Sequence, residues 1–165
     1  MTNAERGVRN AEHLKLNNQQ IAARNMTNED LKHRTRKFAL DVIRLVEALP
    51  NDRVSDVLGN QLLRSGTSVA ANYRSATRAK SPADFIAKMG IVEEESDESF
   101  LWMDLLEASG RLHPAKAQAL IKEAGELTAI SVASIRTARR TASISRTTAR
   151  TSTVPRSALR VPRST

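Results

Sequence analysis

The stretch Ser81-Pro-Ala-Asp-Phe-Ile-Ala-Lys-Met-Gly-Ile-Val-Glu-Glu-Glu-Ser-Asp-Glu-Ser-Phe-Leu-Trp-Met-Asp-Leu-Leu106 decides the fold. It opens on a helix-start signal: Ser81 as cap, Pro82 at the first helical position, and Asp84 as a capping-box-like acid. Phe85, Met89, Val92, Ser96, Ser99, Met103 and Leu106 then recur at alternating spacings of four and three. That period places them on one face of an α-helix. Gly110 ends the segment. No part of the chain alternates with period two for long enough to predict a strand.

The same period extends outward in both directions. Upstream, Thr27-Asn28-Glu29-Asp30 reads as a helix start, with Thr27 or Asn28 as cap. Leu31, Thr35, Phe38, Val42, Leu45 and Leu49 follow on one seam until Pro50-Asn51-Asp52 breaks the chain. A second helix is predicted from about Val54 to Ala79, with Leu58, Leu62, Ser65, Val69, Asn72, Ala76 and Ala79 on its seam. A fourth starts at His113-Pro114, runs through Leu120, Ala124, Leu127 and Ser131, and is expected to end near Arg139.

Four such helices with short connections predict an all-α, antiparallel up-and-down four-helix bundle. Heptad spacing favours nearly parallel axes. Helix three also carries Ile86, Ile91, Trp102 and Leu105 off its seam, and helix one carries Ile43 and Val46. A bundle of four needs one apolar stripe per helix, so the second stripe predicts a homo-oligomer.

Charge divides the chain differently. The 165 residues hold 26 Lys+Arg against 18 Asp+Glu, a net charge of +8. Eight arginines and no acid lie in 136–165, which leaves 18 of each sign in 1–135. The body is neutral and the end carries the excess. The three divisions expected are an N-terminal extension over 1–26, disordered or weakly helical, a bundle over 27–139, and a disordered Arg/Ser/Thr-rich tail over 140–165. A true start at Met26 is an alternative to the extension.

Arginines spaced along such a tail bind polyphosphate backbones in a salt-dependent, sequence-blind way. Arg136, Arg139, Arg140, Arg146 and Arg150 are the candidate nucleic-acid contacts, and a merely solubilising tail is the bland alternative. The tail has no aromatic residue on which to stack unpaired bases.

The chemistry of the body is sparse. With no cysteine there is no thiolate metal site, no cysteine nucleophile and no disulfide. No apolar run is long enough for a membrane span and no signal-peptide core opens the chain, so a cytoplasmic protein is expected. The acidic run Glu93-Glu94-Glu95-Ser96-Asp97-Glu98 lacks the Glu-x-x-His partners of a di-iron bundle. A magnesium-dependent nuclease using Glu94, Glu95 and Asp97 is the enzymatic rival. Ser65-Gly-Thr-Ser-Val-Ala-Ala-Asn72 lacks the phosphate-loop pattern. Its small residues, like Gly59, suit close helix approach. Asn72 on the seam and Arg64 beside it predict a register-setting polar network, with Glu95 or Glu98 as partners of Arg64. No catalytic residue, cofactor or metal ligand is assigned.

Three segments together resemble a known family: Gln61-Leu-Leu-Arg-Ser-Gly-Thr-Ser-Val-Ala-Ala-Asn-Tyr-Arg-Ser-Ala76, Ser81-Pro-Ala-Asp-Phe-Ile-Ala-Lys88, and Glu95-Ser-Asp-Glu-Ser-Phe-Leu-Trp102 with Leu105-Leu106. They look like the bacterial four-helix-bundle proteins also called 23S rRNA-intervening sequence proteins, over about Leu31 to Arg139. The resemblance implies a four-helix bundle assembled as a ring-shaped homopentamer, with no established enzymatic activity. It also implies a distant similarity in fold to the accessory variability determinant of diversity-generating retroelements, a pentamer that binds nucleic acid and a reverse transcriptase. Arg64, Asn72, Tyr73, Glu95, Asp97 and Glu98 match the family's polar signature positions. The expectation is a non-enzymatic scaffold binding RNA or a nucleic-acid enzyme. The alternative is a protein-only structural adaptor whose basic tail is incidental.

Overall fold

A computed structural model describes residues 27–151, with side chains to Ser145. The expectations for 1–26 and 152–165 lie outside the described residues. Four helices follow one another: α1 (Asn28–Glu47), α2 (Arg53–Ala76), α3 (Pro82–Ala108) and α4 (Pro114–Thr151). Short loops at 48–52, 77–81 and 109–113 turn the chain back each time. The result is an antiparallel four-helix bundle in which α2 packs on α1 and α3, and α4 packs on α3 and closes against α1.

Local chemistry explains each boundary. Thr27 caps α1 through a capping box: its hydroxyl oxygen accepts from the Asp30 N–H, and the Asp30 carboxylate accepts from the Thr27 N–H. Asp52 caps α2 by accepting from Val54 N–H at 2.9 Å and Ser55 N–H at 3.1 Å. The Ser55 bonds, backbone first, hold the Asp52 carboxyl at about 2, below its ordinary range. Arg111, from the loop before α4, reaches the same carboxylate at 3.3 Å and so ties two loops at one end of the bundle. Ser81 caps α3 with Pro82 behind it. Gly110 ends α3 in the left-handed conformation, φ 75°, which only glycine adopts without strain.

The predicted seams of α1 and α3 are the buried ones. Leu31, Thr35, Phe38, Val42 and Leu45 are buried on α1, with Leu49 half-buried. Met89, Val92, Ser96, Ser99, Met103 and Leu106 are buried on α3, with Phe85 packed against the core edge. On α2 the structure departs from the prediction at more than one point: the helix ends at Ala76 and leaves Ala79 in the loop, and Ser55 and Gly59 are buried where Leu58 is half-buried. Tyr73 is buried and Asn72 is not. The spacing of four from Val69 carries the aromatic ring inward, and burying it outweighs burying an amide. The Tyr73 hydroxyl still finds a partner, donating to the Asn28 carbonyl oxygen at 3.3 Å.

Small residues on α2 set how closely its neighbours approach. The buried Ser65 and Ser99 hydroxyls meet at 2.9 Å across α2 and α3. On the α1 side, a Cβ at Gly66 would fall 2.8 and 2.9 Å from the two methyls of Val42. Val42 is fully buried and β-branched, so it has little room to turn aside. Gly66→Ala is therefore expected to destabilise the bundle by about 1–3 kcal/mol through overpacking, despite alanine's better helix propensity. Gly90, also inside a helix, would meet nothing within 4 Å. There the same change should stabilise by about 0.5–1 kcal/mol. Urea unfolding of both variants checks the opposite signs.

The fourth helix is longer than expected. It does not end near Arg139 but continues to Thr151, which corrects the expectation of disorder over 140–151. At 38 residues it spans about 57 Å, against about 40 Å for the 27 residues of α3. A helix already nucleated in the bundle propagates by one hydrogen bond for each residue added, so the chain continues as helix past its last packed turn.

Candidate functional site

Four of the six signature residues line one face of the bundle, where α2 and α3 run side by side. Arg64 on α2 pairs with Glu98 on α3 at 3.2 Å, and both side chains are largely exposed, at 62% and 43%. Glu95 stands one turn away. Burial pushes its carboxyl above the ordinary range and the nearby Glu98 charge adds to this, while Arg64 and the Ser68 hydroxyl pull the other way. Its Oε2 atom is buried without a hydrogen-bond partner, and so is the indole Nε1 of Trp102, two turns along α3. Asn72 completes the face, donating to the Ser68 carbonyl oxygen of its own helix at 2.9 Å.

The other two signature residues are elsewhere. Tyr73 points into the core, as described. Asp97 is exposed and makes no ion pair among those formed by the described residues. The predicted buried network is thus an exposed salt bridge with a half-buried amide beside it. Exposed pairs contribute only about 0–1 kcal/mol. Arg64→Ala is expected to shift the unfolding free energy by no more than that, and a loss of several kcal/mol in thermal unfolding would place Arg64 in a buried network after all.

A stronger polar cluster lies on the opposite side and was not foreseen. Arg34 on α1 holds Glu123 on α4 through two parallel bonds, Nε to Oε1 at 2.5 Å and Nη2 to Oε2 at 2.8 Å, and also bonds Glu126. All three side chains are about three-quarters buried. The hydrogen bond from Glu123 leads the effects that hold the guanidinium above its ordinary range. This clasp joins the first helix of the bundle to the last. Glu123 and Glu126 were visible as an i, i+3 pair. Nothing local linked them to an arginine 89 positions upstream.

The arginines of α4 sit where the bundle gives out. Ile135 is the last buried apolar residue among those described, and Arg136, Arg139 and Arg140 beyond it are all exposed. None of the three forms an ion pair with another described residue, and no acid follows Glu126 in the sequence. Arg146 and Arg150 lie on the same continuous helix. Helix formation gives the arginine positions along this stretch a fixed angular order on the backbone.

No group of His, Asp and Glu among the described residues converges to hold a metal ion. Glu94 and Asp97 share a face of α3 one turn apart, but at about 100° per residue Glu95 points well away from Asp97, so the three carboxylates do not converge. One hollow at a bundle end is lined by Asn28, Ala76, Lys80, Ser81 and Phe85. No helix among the described residues is long and apolar enough to cross a membrane.

The fold and this surface define an all-α four-helix bundle protein with a polar α2–α3 face and a basic C-terminal helix. The family model for 23S rRNA-intervening sequence proteins matches residues 27–133, and the chain belongs to that family. A solved structure from Bacteroides thetaiotaomicron, described as a protein of unknown function from the S23 ribosomal protein family, is 31% identical with a TM-score of 0.63. The match covers 67% of this chain and 99% of that one. No protein of curated function matches the chain. The family match stops just short of Arg136, so the arginines of α4 lie beyond the shared bundle.

Proposed function

We propose that this chain is a non-enzymatic, self-associating helical scaffold of the cytoplasm that holds nucleic acid, RNA foremost, through the arginine-bearing end of α4. One observation carries the reading: an exposed helix extends past the last buried core residue with arginines and no acid. Anionic backbones are the partners such a surface attracts, in a sequence-blind manner.

Self-association is supported by the flank of α3 beside α2. Ile91, Leu101 and Leu105 are 39%, 46% and 38% exposed there. The unpartnered Glu95 and Trp102 atoms lie on the same helix. Side chains of this kind seek a second surface. A homopentameric ring, as the family resemblance implies, would set several α4 helices on one particle. Several weak arms raise apparent affinity through effective concentration. The neutral charge balance of 1–135 favours the second reading, a protein-only adaptor, because the bundle itself offers no excess charge to phosphate.

Light scattering combined with RNA titration tests the proposal on the full chain. Wild type should form a discrete oligomer and bind labelled RNA. Leu105→Glu should dissociate it and bind at least about tenfold more weakly, from lost multivalency. A wild-type oligomer that binds no RNA would make the chain an adaptor. A wild-type monomer would remove the scaffold.

A further inference from the structure

We infer that the α4 arginines form a one-sided ridge that fits the phosphate rows of a double-stranded nucleic acid, rather than an arm that gathers any polyanion. The inference rests on the nucleic-acid reading above and adds its geometry and substrate class. At 100° per residue, positions 136, 139, 140, 146 and 150 fall within an arc of about 120°. Leu127, Ser131 and Ile135, which are buried, occupy the neighbouring arc. The five basic positions therefore share a flank of the helix that the core does not use. From 136 to 150 the ridge is about 21 Å long.

Three features favour a duplex. A helix already formed presents its charges without first being ordered, so a rigid partner with fixed phosphates gains most from it. A duplex is such a partner, and it carries about one charge per 1.7 Å of axis, twice the density of either strand. A single strand, by contrast, is held best where its bases can stack on aromatic rings. No Phe, Tyr or Trp occurs anywhere after Trp102. The side chains available between the arginines are Ser, Thr, Ala and Ile, which leaves backbone contact as the chemistry on offer.

The distinction between ridge and bulk charge can be tested at constant composition. Arg140→Thr with Thr141→Arg, Arg146→Ser with Ser145→Arg, and Arg150→Ala with Ala149→Arg would be combined in the full chain. Each exchange moves a charge by about 100° around the helix and changes neither net charge nor residue content. Circular dichroism confirms that helix content is kept. Labelled RNA duplex, DNA duplex and the separated strands are then titrated against both proteins.

The wild type should bind a duplex more tightly than its strands, and the tighter duplex identifies the source of the phosphates. The exchanged protein should bind duplex roughly tenfold more weakly, with a shallower salt dependence. Equal duplex binding by both proteins would overturn the ridge and leave only a charged arm. Tighter binding of single strands by wild type would overturn the duplex assignment. Failure of the wild type to bind any of the probes would instead overturn the nucleic-acid reading on which the ridge depends.

Discussion

Phe38→Ala is expected to lower the unfolding free energy by about 3–5 kcal/mol. Phe38 is 1% exposed and belongs to the continuous core cluster with Val42, Leu62, Val69 and Met103. Truncation removes the ring's transfer free energy and leaves a cavity that packed helices cannot fully collapse. A domain of this kind is stable by only about 5–15 kcal/mol, so the variant should lose at least about a fifth of its stability. Phe100 provides the contrast within one residue type. It is 41% exposed, and Phe100→Ala should stay within about 0.5 kcal/mol in the dissociated chain. Urea unfolding followed by circular dichroism measures both. A small loss at Phe38 would mean that α1 does not pack as described.

The second large effect is on binding. If the five ridge arginines each neutralise one phosphate, log affinity should fall with log salt at a slope near −4.5 for one arm. Raising salt from about 50 to about 200 mM would then weaken binding roughly 500-fold. Several arms engaged together would steepen this further. Fluorescence anisotropy at four or five salt concentrations gives the slope directly. A slope near −1 would show that affinity comes from uncharged contacts, for which the Ser, Thr, Ala and Ile between the arginines offer little.

Much of this architecture was legible in the sequence because each seam depends on a local period. The seams of α1 and α3 were readable residue by residue, and so was the cap at Ser81, whereas the cap of α1 was narrowed only to Thr27 or Asn28. Gly66 was readable as a site of close approach, although which helix approaches it required the tertiary arrangement. The reading failed by one residue at Asn72 and Tyr73. A strict alternation of four and three put the amide inward, whereas the helix turned the ring inward. It failed again beyond Arg139, where many serines and threonines and the lack of apolar residues suggested disorder. Propagation of a helix already nucleated in the bundle carries the chain on to Thr151.

The polar site divided in the same way. The proximity of Arg64 to Glu98 followed from antiparallel neighbours, since helices two and three are joined by a short loop. The exposure of that pair did not follow, because burial depends on how α2 and α3 are rotated about their own axes. The clasp of Arg34 with Glu123 and Glu126 joins the first helix to the last. Only closure of the bundle brings such residues together, and no local pattern announces it.

The most direct test is binding of labelled RNA to the full chain and to a chain ending at Ile135. The shorter chain keeps every residue of the core cluster. The solved relative, 99% of whose length is matched by 67% of this chain, shows that such a bundle folds without these extensions. The full chain is expected to bind at low salt, and the shortened chain to form the same oligomer by light scattering while losing at least about a hundredfold in affinity. RNA affinity retained by the shortened chain would contradict the account and move the binding surface onto the bundle itself.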